Sequence, residues 1–254
     1  TVQVIRHIRY KYACKGCEGV ESEAPTVLIA PAPPQLIPKS MATPGLIAHI
    51  VVSKFEDALP FHRQSKQFAR MGIDLPRATL CNWARQVAEK ASPLADLMGR
   101  LIREGPIVGI DETTVQVLME PGRSDSQKSY MWVFRGGEPN RPVLSYQYHP
   151  TRAGSVPLNY LEGFKGYVQN DGYIGYDALG RKPGIVMLVC WAHARRKFHD
   201  VIQAAGAQIA QRRLAAEEAL EFIKKLYQIE KEARLKALPA PVLCELRQEQ
   251  AKPI

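Results

Sequence analysis

The sequence predicts an α/β protein built on a mixed sheet with flanking helices. Three observations predict it. Residues 45–104 keep a helical period, residues 106–190 break into short apolar runs bounded by turn residues, and a charged helical stretch begins at Trp191. A chain of 254 residues has room for one large domain or two smaller ones. Its hydrophobic fraction of 46% and charged fraction of 23% are ordinary for a globular chain and exclude a disordered protein, a collagen-like fibre or a coiled-coil rod. There is no run of about 18 apolar residues to span a bilayer and no signal-peptide core at the N-terminus. No membrane partner is expected, and the expected compartment is the cytoplasm.

Residues 1–24 alternate from Val2 to Tyr10, as a strand does, and then reach Cys14-Lys15-Gly16-Cys17, a knuckle turn. Residues 25–44 are dense in proline (Pro25, Pro31, Pro33, Pro34, Pro38 and Pro44) and predict a stiff extended linker at a domain boundary. Within 45–104, Leu46, Ile47, Ile50, Val51 and Phe55 recur at three- and four-residue spacing, the pattern of a buried helix face. A second helix is predicted over Phe61 to Arg70. Gly72 ends it, and Pro76 opens a third over Arg77 to Leu101, giving a helix-turn-helix outline.

The period then changes. Ile107-Val108-Gly109-Ile110-Asp111 is an apolar run closing on an acid, continued by Thr113 to Met119. Two further strands, 129–134 and 142–148, are separated by Gly136-Gly137 and Pro139-Asn140, which predicts an antiparallel meander. A helix over Ser155 to Leu161, a strand over Gly166 to Asp171 and a buried strand over 185–190 follow. From Trp191 to about Ala237 one helical stretch is expected, with Phe222, Leu226, Ile229 and Ala233 on its apolar face.

The charge balance is 34 Lys+Arg against 25 Asp+Glu, a formal +9, which favours a polyanionic partner such as DNA. Five cysteines in this length do not make a disulfide framework. The informative pattern is the placing of two acids: Asp111 closes the first half of an apolar strand and Asp171 immediately follows another, and strands placed in one twisted sheet bring both to a common edge. Hard cations such as Mg²⁺ take a few carboxylate oxygens and keep their waters. A pair of them about 3.5–4 Å apart clamps the attacking and leaving oxygens of a phosphoryl displacement. The same residues also read as turn formers, with Asp171-Gly172 a tight-turn dipeptide. Glu112 faces away from Asp111, because strand neighbours alternate sides.

Gly109-Ile110-Asp111-Glu112-Thr113, Val168-Gln169-Asn170-Asp171-Gly172-Tyr173 and Cys190-Trp191-Ala192-His193-Ala194-Arg195-Arg196-Lys197-Phe198 together resemble the bacterial insertion-sequence-66 family of transposases. So do Phe61-His62-Arg63-Gln64 after the proline-rich stretch, Thr79-x-x-x-Trp83, and Leu226-Tyr227-Gln228-Ile229-Glu230. The resemblance covers nearly the whole chain in order. It implies a ribonuclease-H-like DDE core over residues 105–200, between a helical, helix-turn-helix-like segment (45–104) and the start of a helical insertion (201–254). It further implies Mg²⁺ or Mn²⁺ at Asp111 and Asp171, and in-line attack on a phosphodiester by water and then by a DNA 3′-hydroxyl. The implied partners are transposon-end and target DNA, a second copy of the chain on that DNA, and accessory transposition proteins.

The family's third acid lies in an Asp-Asn-Asn-x-Ala-Glu-Arg-like segment that does not occur before Ile254, and Glu230 is the substitute inside the chain. The expectation is therefore a fragment with two of three catalytic acids, inactive alone, or else a non-catalytic DNA-binding remnant. Cys14 and Cys17 are expected to form half of a Zn²⁺ site, a zinc-knuckle remnant in a partial zinc-binding segment, since structural zinc takes four ligands. Cys190 is expected buried at a strand end, with His193 near the acids. His193, Arg195 and Arg196 are placed to meet DNA phosphate, or form a solvated basic run. Arg77, Thr79, Asn82 and Arg85 occupy the early turns of the third helix, which reach base edges when such a helix enters the major groove. Leu80 and Trp83 are expected in the core.

Overall fold

The computed structural model describes residues 2–13, 27–204 and 210–254. Cys14 and Cys17 lie outside the described residues, and with them the expected zinc half-site. The chain divides into two compact units, Thr1–Pro93 and Leu94–Ile254.

In the first unit the alternating run from Val2 to Tyr10 carries no strand. The strands are β1 (Lys11–Ala13) and β2 (Val27–Ile29), paired antiparallel with Tyr12 opposite Leu28. Both are exposed, so alternation there did not reflect a buried face. Helix α1 (Pro44–Phe55) starts on Thr43, whose hydroxyl accepts from the Leu46 N–H at 3.3 Å, with proline in its first turn. Helix α2 (Phe61–Arg70) stops before Gly72, which takes φ +78°. Helix α3 (Arg77–Glu104) follows Pro76.

The core of this unit joins Ile47 and Ile50 of α1, Phe68 of α2, Leu75, and Leu80 and Trp83 of α3. Ile37 and Ala42 join it too, so the proline-rich stretch is extended but packed onto the helices at these points. Gln64 is 1% exposed and its amide donates to the carbonyls of Ile50 (3.1 Å) and Leu59 (3.0 Å). It satisfies the backbone where α1 ends, a structural role.

The second unit is built on a five-stranded sheet in the order β5-β4-β3-β6-β7: β3 Ile107–Gln116, β4 Lys128–Glu138, β5 Arg141–His149, β6 Gly166–Asn170 and β7 Ile185–Val189. The first three form an antiparallel meander, while β6 runs parallel to β3 and β7 parallel to β6. One face is packed. Val108, Ile110, Trp132, Phe134 and Val168 meet Ile102 of α3, Val156 and Tyr160 of α4 (Ser155–Tyr160), and Leu179 of α5 (Asp177–Gly180). On the other face Ile107, Tyr146, Tyr167 and Val186 are exposed.

Two expectations are corrected here. Gly136 and Gly137 do not separate strands; they lie inside β4, and the hairpin turns at Pro139-Asn140. A Cβ on Gly136 would sit 2.7 Å from the Ile102 carbonyl oxygen and 2.9 Å from its Cγ2, so glycine is required because α3 presses on the strand. Gly136→Ala is expected to lower stability by about 2 kcal/mol by overpacking, read as a shift in urea midpoint without a change in slope. The expected helical stretch from Trp191 is described as α6 (Trp191–Ala204) and α7 (Ala210–Leu235). On α7 the buried stripe is Ala216, Ile223 and Ala233, and Phe222 is exposed. Of the expected face, Ala233 is buried and Leu226 and Ile229 are half-buried, and only Phe222 turns outward while Ile223 takes its place in the core.

Helix α8 (Ala240–Leu246) and one further turn close the described chain. There Arg247 Nε and Nη2 donate to the Glu230 carboxylate at 2.7 and 2.8 Å. This hydrogen bond holds the Glu230 carboxyl below the usual carboxylate range. A lowered folded-state pKa contributes stability that is complete above the ordinary value and is lost as pH falls through the lowered one. The protection factors of the amides at residues 247–251, corrected for the intrinsic exchange rate, are therefore expected to fall on acidification through that window.

Candidate functional site

The parallel register of β3 and β6 pairs Val108 with Val168 and Gly109 with Gln169. Two residues on from that last pair come Asp111 and Asp171. Adjacent strands lie about 4.7–4.9 Å apart, so the two acids stand side by side just past the end of the β3–β6 pairing, Asp111 midway along β3 and Asp171 immediately after β6. The Asp111 side chain is 56% exposed and that of Asp171 25%. Asp111 Oδ2 lies 3.5 Å from Nε2 of His193, in the first turn of α6. Asp171 Oδ1 accepts the Tyr173 N–H at 2.9 Å, and Asn170 Oδ1 accepts the Gly172 N–H at 2.7 Å. This turn fixes the chain direction past β6 and presents Asp171 Oδ2 to Arg152 at 3.5 Å.

Glu112, one residue along β3, is the residue that sequence reasoning passed over. It falls in phase with Val108 and Ile110 on the packed face, and its side chain is 1% exposed. It is held by the Arg152 guanidinium and by the Tyr176 hydroxyl. Arg152 also stacks on the Tyr173 ring, 3.7 Å from its centroid, and Tyr176 sits edge-on to Trp132. Burial pushes the Tyr176 phenol far up, helped by the surrounding carboxylates, so it stays a donor. Burial alone would lower the Arg152 pKa, but Glu112 and Asp171 outweigh it and raise it. Tyr176, Glu112, Arg152 and Asp171 thus form one chain of charge-assisted contacts beneath the acid edge. An acid in the core phase of a strand, in step with Val108 and Ile110, is the sequence signal that could have found Glu112.

The remaining predicted residues are placed as follows. Cys190 is half-buried rather than buried and donates its N–H to the Asn170 carbonyl at 2.8 Å, extending the β6–β7 ladder. Arg195 and Arg196 are exposed on α6 and line a groove of about 770 Å³ with His199, Lys224 and Tyr227. His193 Nδ1 is buried with no hydrogen-bond partner. In the first unit Arg77, Asn82 and Arg85 are exposed and Thr79 is half-buried, while Leu80 and Trp83 are core. Arg85 donates to Asn82 Oδ1 at 3.0 Å and pairs with Glu89, which fixes its direction. Glu230 is engaged by Arg247. Among the described residues no three His, Cys, Asp or Glu side chains gather into a metal-binding group, and no helix is long and apolar enough to cross a membrane.

The fold and this edge define an α/β protein that displays two acids side by side where the parallel pairing of β3 and β6 ends, beside a basic helical hairpin. The sequence pattern of the Transposase IS66 family matches residues 39–254, and the chain belongs to that family. It is 37% identical over 246 residues to the uncharacterized protein y4jD of Sinorhizobium fredii, a match covering 92% of this chain and 45% of that protein. The uncharacterized protein y4qI of the same organism is 32% identical over 264 residues, covering 99% of this chain and 46% of that protein. The chain spans about half the length of the curated relatives it matches.

Proposed function

We propose that this chain carries the ribonuclease-H-like catalytic core of a DNA transposase, acting in the cytoplasm by divalent-metal-dependent strand cleavage and transfer. The observation that carries the reading is the emergence of Asp111 and Asp171 at the same end of the parallel pair β3–β6. A three-stranded meander continued by two parallel strands supports the ribonuclease-H-like assignment. The donors fit a hard cation: two carboxylates, each with a single side-chain partner no closer than 3.5 Å, leave lone pairs open. Asp111 and Asp171 would hold Mg²⁺ or Mn²⁺, which supplies charge stabilisation to the oxygens of a phosphodiester under displacement.

The chain's own residues do the positioning. Arg152 braces Asp171 from the packed side, and His193 borders Asp111. The groove of Arg195, Arg196, His199, Lys224 and Tyr227 offers cations and an aromatic face to a DNA backbone leaving the acid edge. In the helical unit, Arg77, Thr79, Asn82 and Arg85 would read DNA from α3. Cys14 and Cys17 would contribute to a Zn²⁺ site, and the working form would be an oligomer on two DNA ends, with accessory proteins as further partners.

A second reading, a DNA-binding protein without cleavage, is favoured by the want of a third acid at the Asp111–Asp171 edge among the described residues. Strand cleavage of DNA carrying the element's ends, with Mg²⁺ or Mn²⁺ and with the family's third-acid segment joined to the chain, separates the two. Cleavage that depends on Asp111 supports the first reading, and DNA binding with intact strands supports the second.

A further inference from the structure

A cleft of about 750 Å³ opens between the last turns of α3, strand β5 and helix α4, away from the acid edge. Ser145, Gln147 and His149 alternate along β5 on the side that faces it, whereas Asp111 belongs to the opposite face of the sheet. Its floor includes Tyr160, 9% exposed, whose ring stacks on Phe134 with centroids 3.7 Å apart. The ring is fixed and its hydroxyl buried; Ser145 alone comes near it, and its proton has no acceptor. Native structures leave few buried polar atoms in that state, so such a hydroxyl in a polar cleft points to a missing acceptor. Burial pushes the phenol up, against the smaller effects of Ser145 and Arg103, which keeps it a donor.

The neighbours are donors as well. Arg103 lies over the Tyr160 ring at 5.4 Å and reaches the Tyr160 carbonyl at 3.5 Å, and neither it nor Arg100 pairs with a carboxylate among the described residues. Two guanidinium forks, the Gln147 amide and a buried hydroxyl together ask for a group that only accepts. A phosphodiester is such a group, and planar guanidinium forks match its oxygens. Asp96 and Glu162 also line the cleft but are exposed and screened by solvent. The anion would therefore be held by directed hydrogen bonds rather than by net field.

We propose that this cleft seats a backbone phosphate of nucleic acid through Arg100, Arg103, Gln147 and Tyr160, holding a stretch of DNA other than the one at the acid edge. The inference rests on the transposase reading for the identity of its ligand.

The test is binding of a fluorescein-labelled duplex of mixed sequence to the full chain, by anisotropy across a series of salt concentrations. Arg100→Ala combined with Gln147→Ala is expected to weaken binding about tenfold and to reduce the salt slope by about one. Tyr160→Phe is expected to weaken binding about threefold while the free protein melts no lower than the wild type, since it loses only a hydroxyl without an acceptor. Cleft variants that bind the duplex as the wild type does overturn this inference alone. A wild-type chain that binds no duplex overturns it together with the DNA-binding part of the proposed function.

Discussion

Arg152→Ala is expected to destabilise the second unit by about 3 kcal/mol, the scale for removing one partner from a buried ion pair. The substitution leaves Glu112, 1% exposed, with only the Tyr176 hydroxyl as partner. It also strips Asp171 of its cation and Tyr173 of its stacked guanidinium. The loss is set by the stranded Glu112 rather than by the pair's own attraction, so removing that acid should restore much of it. Glu112→Gln in the Arg152→Ala background is therefore expected to be more stable than Arg152→Ala alone, a coupling visible in a urea double-mutant cycle. Additive effects would mean that Arg152 acts only by packing on Tyr173.

Much of this unit was legible because its strands obey a simple rule: short apolar runs between turn residues, each ending where polarity returns. The Ile107–Asp111 and Gly166–Asp171 runs announced two strands of one sheet, each run closing on an acid, but not that the two strands pair in parallel. What stayed hidden was decided by partners distant in sequence. Gly136-Gly137 looks like a turn until the last turn of α3 is placed on it. Glu112 looks solvated until Arg152, 40 residues on, and Tyr176, 64 residues on, are brought beneath the sheet. On α7, Phe222 and Ile223 are adjacent and both apolar, and only packing against neighbouring elements decided which of them turned inward. The alternating run Val2–Tyr10 failed for the opposite reason, having no buried face to alternate against. Local pattern fixes which segments form elements; buried polar groups, glycine contacts and helix phase depend on what arrives from elsewhere in the chain.

In a chain extended by the family's third-acid segment, Asp111→Asn is expected to reduce strand cleavage by at least about a thousandfold, with little change in stability. The two halves of this prediction come from different features of the same residue. Its side chain is 56% exposed and its one ion-pair partner is His193 at 3.5 Å, so removing the charge strands nothing. Its position, two residues past the last β3–β6 pair, makes it one of two carboxylates available to a cation at that edge. Losing several kcal/mol of charge stabilisation there amounts to three or more decades in rate, at 1.36 kcal/mol per decade. Asp171→Asn should abolish cleavage equally but also loosen Arg152, so it is expected to melt lower, whereas Asp111→Asn is not. Calorimetric titration with Mn²⁺ supplies an independent readout, since either variant should lose the binding heat expected of the wild-type chain. An Asp111→Asn protein that cleaves at the wild-type rate, or that still binds Mn²⁺ as the wild type does, would place the catalytic centre elsewhere and leave this edge a purely structural end to the sheet.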